Sequence, residues 1–335
     1  MTDSRDDAAS VIARTRPIDA GAPVVAAHCL DSAAFFVLGE ETILIVPGDG
    51  EPRRVLVHSG GILATAANGK RILTAGDDGK VVATSGRGET RTLVTDAKRR
   101  WINCITAGPE GAIAWSVGKT ASVLTANRQE RTIEVPSSVG GLAFAPRGFR
   151  LAVAHYHGVT LWFPNASATP ERLEWKGSHL DVTFSPDAKF LVTAMQEPAL
   201  HGWRIADRKD MRMSGYAAKV RSMAWTVGGK WLATSASEQL ILWPFHGKDG
   251  PLGKAPKMLA PYEHRVAIVA CHPNHDVVAA GYEDGMVLLV RIEDGAEILG
   301  RRPGGSPVTA LAWDATGALL AFATEKGEAG IIDLG

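Results

Sequence analysis

Imidazoles, thiols and carboxylates that stand close together mark where this chain has the means to do chemistry. His155-Tyr156-His157 places two imidazoles around an aromatic ring, and His179 follows downstream. Neutral imidazoles suit zinc, so His155, His157 and His179 form the metal reading of the sequence. No cysteine or carboxylate adjoins them to complete a tetrahedral set. Cys271-His272-Pro273-Asn274-His275 offers a thiol and two more imidazoles, but Cys271 takes an apolar strand position. A buried thiol there behaves as a small hydrophobe. Asp77-Asp78 and Glu283-Asp284 are carboxylate pairs without a nucleophile beside them. In turns, such residues cap backbone amides. Gly118-Lys119-Thr120 lacks both the upstream glycine spacing and the following helix of a phosphate loop. Neither a GxSxG elbow nor an HExxH pair is present. The expectation is a protein with no catalytic residue and no cofactor, with zinc as the alternative.

Recognition chemistry is better represented. Lys98-Arg99-Arg100-Trp101 sets three cations before an indole. Tyr216 and Lys219, and then Tyr262-Glu263-His264-Arg265, combine aromatic and charged residues in the same way. Tyr156 and Tyr282 complete the set, and all four tyrosines of the chain fall in segments that read as loops. Trp, Tyr and Arg dominate interface hot spots. The candidate partner-binding residues are therefore Arg99, Arg100, Trp101, Tyr156, Tyr216, Lys219, Tyr262, Arg265 and Tyr282. The alternative is that the tyrosines only pack neighbouring elements together.

The chain has 335 residues, 45% hydrophobic and 21% charged, an ordinary globular mixture. Its 36 basic and 36 acidic residues cancel, which argues against a nucleic-acid binder. Cys29, Cys104 and Cys271 are too few and too scattered for a disulfide scaffold. The N-terminal segment has no apolar core of a leader peptide, and no apolar run is long enough for a membrane helix. A soluble cytoplasmic protein is expected, with no membrane partner, and monomeric. Its Ala-, Gly- and Arg-rich usage suggests a bacterial source.

The elements that must position these residues recur. FSPDAKFLVTA at 184–194 has counterparts beginning at 28, 65, 106, 144, 225, 271 and 313. The spacing is about 40 residues, the signature of a repeat architecture. Each copy follows a short apolar strand and leads through a tight turn to a third strand, such as GVTLWF at 158–163. A more polar fourth strand follows, such as TRTLVT at 90–95. Four short strands per repeat make a propeller blade.

Over almost its whole length the chain resembles the WD40 repeat family. The resemblance rests on the FSPD-type corner and on Trp162, Trp203 and Trp243 near the ends of third strands. It also rests on His179 and His264 before first strands, and on the turn residues Asp78 and Asp284. It implies an all-β, single WD40-type β-propeller over residues 10–335, with residues 1–9 disordered. It also implies a hydrogen-bonded strut of Asp, His, hydroxyl and Trp in each blade. No copy carries the full set. The fifth comes nearest with His179, Thr193 and Trp203, but Glu197 occupies its turn. Eight corners imply eight four-stranded blades, with seven as the alternative count. The last copy lacks a fourth strand, so segment 10–17 is expected to complete it and close the ring, removing two sheet edges. The resemblance implies a non-catalytic scaffold binding an unidentified protein or peptide on its loop-rich face.

Overall fold

The recurring corner folds for a local reason. In the fifth copy the Ser185 hydroxyl donates to Asp187 Oδ1 at 2.6 Å and accepts the Phe190 amide at 2.9 Å. Asp187 also accepts the Lys189 amide, and Ala188 takes a left-handed φ of 61°. The corner is thus tied by its own side chains before the apolar strand Phe190–Met195 begins. Asp314 repeats the device, accepting the Leu319 amide at 2.8 Å.

The computed structural model describes residues 9–335, so residues 1–8 of the expected disordered segment 1–9 lie outside it. The described residues form strands, with short 3₁₀ turns at Ile12–Arg14, Pro109–Gly111 and Val227–Gly229 and no α-helix. Among them no helix is long and apolar enough to cross a membrane. They make two units. One comprises the described residues to Leu38 with Leu44–Arg54 and Arg221–Gly335; the other comprises Gly39–Ile43 and Val55–Val220.

Each unit is built from antiparallel sheets packed face to face. In the second unit, Leu73 and Val81 of one sheet pack on Ile113 and Trp115 of the next. Ala121 and Val123 in turn meet Leu151 and Val153. In the first unit, Ala279 and Leu289 pack on Val308 and Phe322. The pattern follows from burial. The second strand Phe190–Met195 is buried at every position, while the outer strand Thr90–Thr95 is mostly exposed. Each fully buried Leu, Ile, Val or Phe contributes about 1.5–3 kcal/mol, which makes the contact between sheets the main source of stability.

The eight corners predict eight separate four-stranded blades. The described residues instead form seven sheets, six of four strands and one of six. The first corner builds a four-stranded sheet of its own, in which Val24–Leu30 and Ala33–Leu38 pair as a hairpin. The difference lies at the fourth and fifth corners, which share the six-stranded sheet. Its strand Leu151–Trp162 pairs with Gly141–Phe144 through residues 151–154 and with Glu171–Phe184 through residues 156–161. Glu171–Phe184 then continues through its second half to pair with Phe190–Met195. Two long strands therefore run on where other copies break. The positive φ of His157 (70°) and Gly158 (137°) lets Leu151–Trp162 reverse without ending.

The N-terminal segment contributes a strand, displaced from the expected 10–17. Thr15–Asp19 pairs antiparallel with Glu328–Asp333, Thr15 opposite Ile332, in a sheet with Leu319–Thr324 and Val308–Trp313. Ser10 makes an isolated parallel bridge to Leu299, and the Ala9 carbonyl accepts the Leu299 amide at 2.8 Å.

Candidate functional site

The loop before Cys104–Ala107 is fixed by one carboxylate. Asp96 accepts the backbone amides of Lys98 at 3.0 Å and Arg100 at 2.9 Å. The Arg100 guanidinium folds back onto it, with Nε at 3.2 Å and Nη2 at 2.7 Å. These Arg100 hydrogen bonds, with the two amides, outweigh desolvation and hold the Asp96 carboxyl down at about 2. The Asp96 amide donates to the Gly79 carbonyl at 2.8 Å, and the Ile102 amide donates to Gly76. Ile102 is fully buried and anchors the far end. Arg99 has a left-handed φ of 52°, and its Cα would lie 2.8 Å from a Cβ at Gly79. Only glycine at 79 permits that approach. The result presents Trp101, 63% exposed, beside exposed Lys98 and Arg99.

The Gly76–Lys80 turn beneath this loop carries a polar strut. His58 bonds Asp78 Oδ1 through Nδ1 at 3.0 Å and Thr74 through Nε2 at 2.9 Å. The Asp78 carboxyl is partly desolvated, but hydrogen bonds from His58, Ser59 and Lys80 hold it below the usual range. His58 was not among the residues that the sequence singled out. Its signal was the pairing of a histidine with Asp78 and with a threonine in the intervening strand.

The histidines read as zinc ligands have other partners. His155 Nδ1 lies 2.8 Å from the Tyr156 carbonyl and its Nε2 lies 2.9 Å from Thr160. His179 bonds Thr193 at 2.7 Å and the Trp175 carbonyl at 3.1 Å. Burial lowers the pKa of both imidazoles and keeps them neutral. His157 is exposed and its ring lies 4.0 Å from Tyr156. Among the described residues no group of three His, Cys, Asp or Glu side chains is arranged to hold a metal ion. Tyr156 is 52% exposed and borders an open groove of about 590 Å³ that Ser137, Arg172, Trp175 and Lys176 also line. His201, fully buried, stacks on Trp175 at 3.9 Å, an arrangement the sequence did not suggest.

In the other unit the recognition candidates are turned to internal use. Tyr282 is fully buried and donates to the Ala260 carbonyl at 3.1 Å. Tyr262 donates to Asp284 at 2.7 Å and packs edge-on against Tyr282 at 5.2 Å. Arg265 pairs with Glu283 at 3.1 Å. The Cys271 thiol, pushed up to about 12 by burial, donates to the Ala224 carbonyl. His272 uses both ring nitrogens, on Gly317 and on the amides of Asn274 and His275. Tyr216, in the second unit, is also buried, and Lys219 is half-buried.

The family model for the WD40 domain of anaphase-promoting complex subunit 4 matches residues 269–335. The crystal structure of the computationally designed Ika8 protein superposes with a TM-score of 0.76, covering 94% of this chain and 97% of that one at 17% identity. That likeness shows the fold. No curated protein matches the sequence significantly. The four-stranded antiparallel sheets are those of a β-propeller, and the likeness to a WD40 domain is found over residues 269–335.

Proposed function

We propose that this WD40-type propeller is a non-catalytic scaffold that binds a protein or peptide segment through its loops. WD40 propellers generally act as interaction scaffolds, and that prior is joined here by one observation. Trp101 and Tyr156 are large aromatics held exposed by hydrogen-bonded loops of one unit, at 63% and 52%. Exposed aromatics on ordered backbone are the usual anchors of an interface. Arg99, Lys98, Arg172 and Lys176 flank them as exposed cations. The pairing of Thr15–Asp19 with Glu328–Asp333 serves as a latch that ties the N-terminal segment to the last sheet and so removes two free edges. The protein acts as a monomer in the cytoplasm, where its three unpaired cysteines remain reduced.

Affinity capture from a lysate of the source organism tests the reading. Wild type and a Trp101→Ala/Tyr156→Ala variant, matched for folding, are compared. A protein retained by wild type and lost by the variant is the expected result. Equal capture by both, or none by either, sinks the assignment of these loops.

A further inference from the structure

Among the described residues, Lys98 and Arg99 have no side-chain partner, whereas the next cation along, Arg100, is neutralised by Asp96 at 2.7 Å. The loop thus separates its charges by role. Asp96 pairs with the Arg100 guanidinium, which stays 55% exposed, and holds the amides of Lys98 and Arg100. That leaves two unpaired cations beside an exposed indole on a backbone clamped at Gly79 and Ile102.

We infer that the Lys98–Trp101 loop is a preformed contact for an acidic peptide segment. Lys98 and Arg99 take carboxylates and Trp101 takes a neighbouring apolar side chain. Arg100 is a positioning residue rather than a contact. The inference rests on the scaffold reading and gives its partner a chemistry. Two uncompensated cations 98–99 beside an exposed ring complement an alternation of acidic and apolar side chains. Arg99 brings a planar fork suited to a carboxylate, and Lys98 a mobile point charge. Because the loop is already tied down, little ordering entropy is lost on binding. A nucleic-acid strand would need a longer run of phosphate contacts, but the charge of the third cation is offset by its pairing with Asp96 and the chain is neutral overall.

The test uses the full chain and fluorescence polarisation of three fluorescein-labelled probes. They are a peptide of glutamates around one leucine, its glutamine counterpart, and oligothymidine. Wild type is expected to bind the glutamate peptide, more weakly as salt rises. Lys98→Gln/Arg99→Gln and Trp101→Ala should each weaken it about tenfold, which is about 1.4 kcal/mol. Asp96→Asn separates positioning from charge. It makes the loop more positive, so simple attraction would tighten binding, whereas loss of the clamp weakens it several-fold. Unchanged circular dichroism and melting confirm that each variant is folded. Tighter binding of oligothymidine, equal binding of the glutamine peptide, or tightening by Asp96→Asn would overturn the inference. If lysate capture depends on Trp101 and Tyr156 while these peptides do not bind, the scaffold reading stands and this one falls.

Discussion

Two loop regions with the same residue types have opposite fates in this molecule. Lys98–Trp101 and Tyr262–Arg265 each combine an aromatic ring with cations, and each leads into the first strand of a repeat. Around Tyr262 nearly every polar group closes on a neighbour: Tyr262 on Asp284, Tyr282 on Ala260, Arg265 on Glu283. Around Trp101 only Arg100 closes, and its closure displays the rest. The difference comes from where the carboxylates lie. Asp284 and Glu283 sit in a turn across from Tyr262 and Arg265, 22 and 18 residues on. Asp96 sits within its own loop, four residues before the one cation it can reach. A carboxylate across a gap cross-links two loops, while a carboxylate inside a loop stiffens it and leaves its other cations available. Residue type alone therefore does not separate a staple from an anchor.

The largest contrast should appear in stability. Tyr282→Ala empties a fully buried aromatic site and orphans the Ala260 carbonyl. It is expected to cost about 3–5 kcal/mol in urea unfolding. Trp101→Ala removes a side chain that is 63% exposed and should change stability by only about 0.5 kcal/mol. Comparable losses from both would abolish the distinction between the regions.

Acid gives the next largest effect and tests the buried side of the comparison elsewhere in the chain. His201 is fully buried between Trp175 and Trp203, and burial lowers its pKa to about 3. Asp210 lies 3.4 Å from Nε2, but its side chain is half exposed and burial wins. Below the ordinary histidine value of about 6.5 the unfolded chain takes a proton that the folded one refuses. Stability should therefore fall as pH drops from about 6.5 towards 3, by up to roughly 1.4 kcal/mol per pH unit from this group, and be flat above about 7. His201→Phe keeps the stack and should flatten that part of the curve. A wild-type minus variant difference that grows more favourable in acid would instead show that Asp210 captures the proton.

The same contrast explains what the sequence disclosed. The corners were legible because Ser185, Asp187 and their counterparts close hydrogen bonds within five residues, so local spacing carries the information. The sharing of one sheet by the fourth and fifth corners was not. It depends on hydrogen bonding that continues through His155–Gly158, and turn residues look alike whether a strand ends or bends there. Trp101 was read as a candidate contact by type, and its ring is exposed. Tyr282 and Tyr216 share that type but face inward, which depends on the facing sheet rather than on the loop. Arg100 was read by its own charge alone, without the carboxylate that pairs with it. Asp96, four residues earlier, was in plain view, but its hold on Arg100 depends on a turn that Gly79 alone permits.

Smaller effects sharpen the staple itself. Tyr262→Phe keeps the ring against Tyr282 and removes the 2.7 Å hydrogen bond to Asp284. A loss of about 1 kcal/mol is expected in the same urea titration. No loss would mean that ring packing, not the hydrogen bond, joins these loops.

Arg265→Ala should have the smallest effect and the sharpest meaning. Its pair with Glu283 leaves both side chains about two-fifths exposed, at 40% and 41%. Water and salt screen such a pair, so stability should change by less than about 1 kcal/mol. The guanidinium is already engaged, so removing it should also leave capture of a partner unchanged. Trp101→Ala is expected to show the reverse pattern, with capture lost and stability kept. If Arg265→Ala abolishes capture at full stability, then Arg265 leaves Glu283 for the partner. Tyr262–Arg265 would then be an interface that shields its charges until it is occupied, and internal pairing would no longer distinguish staple from anchor.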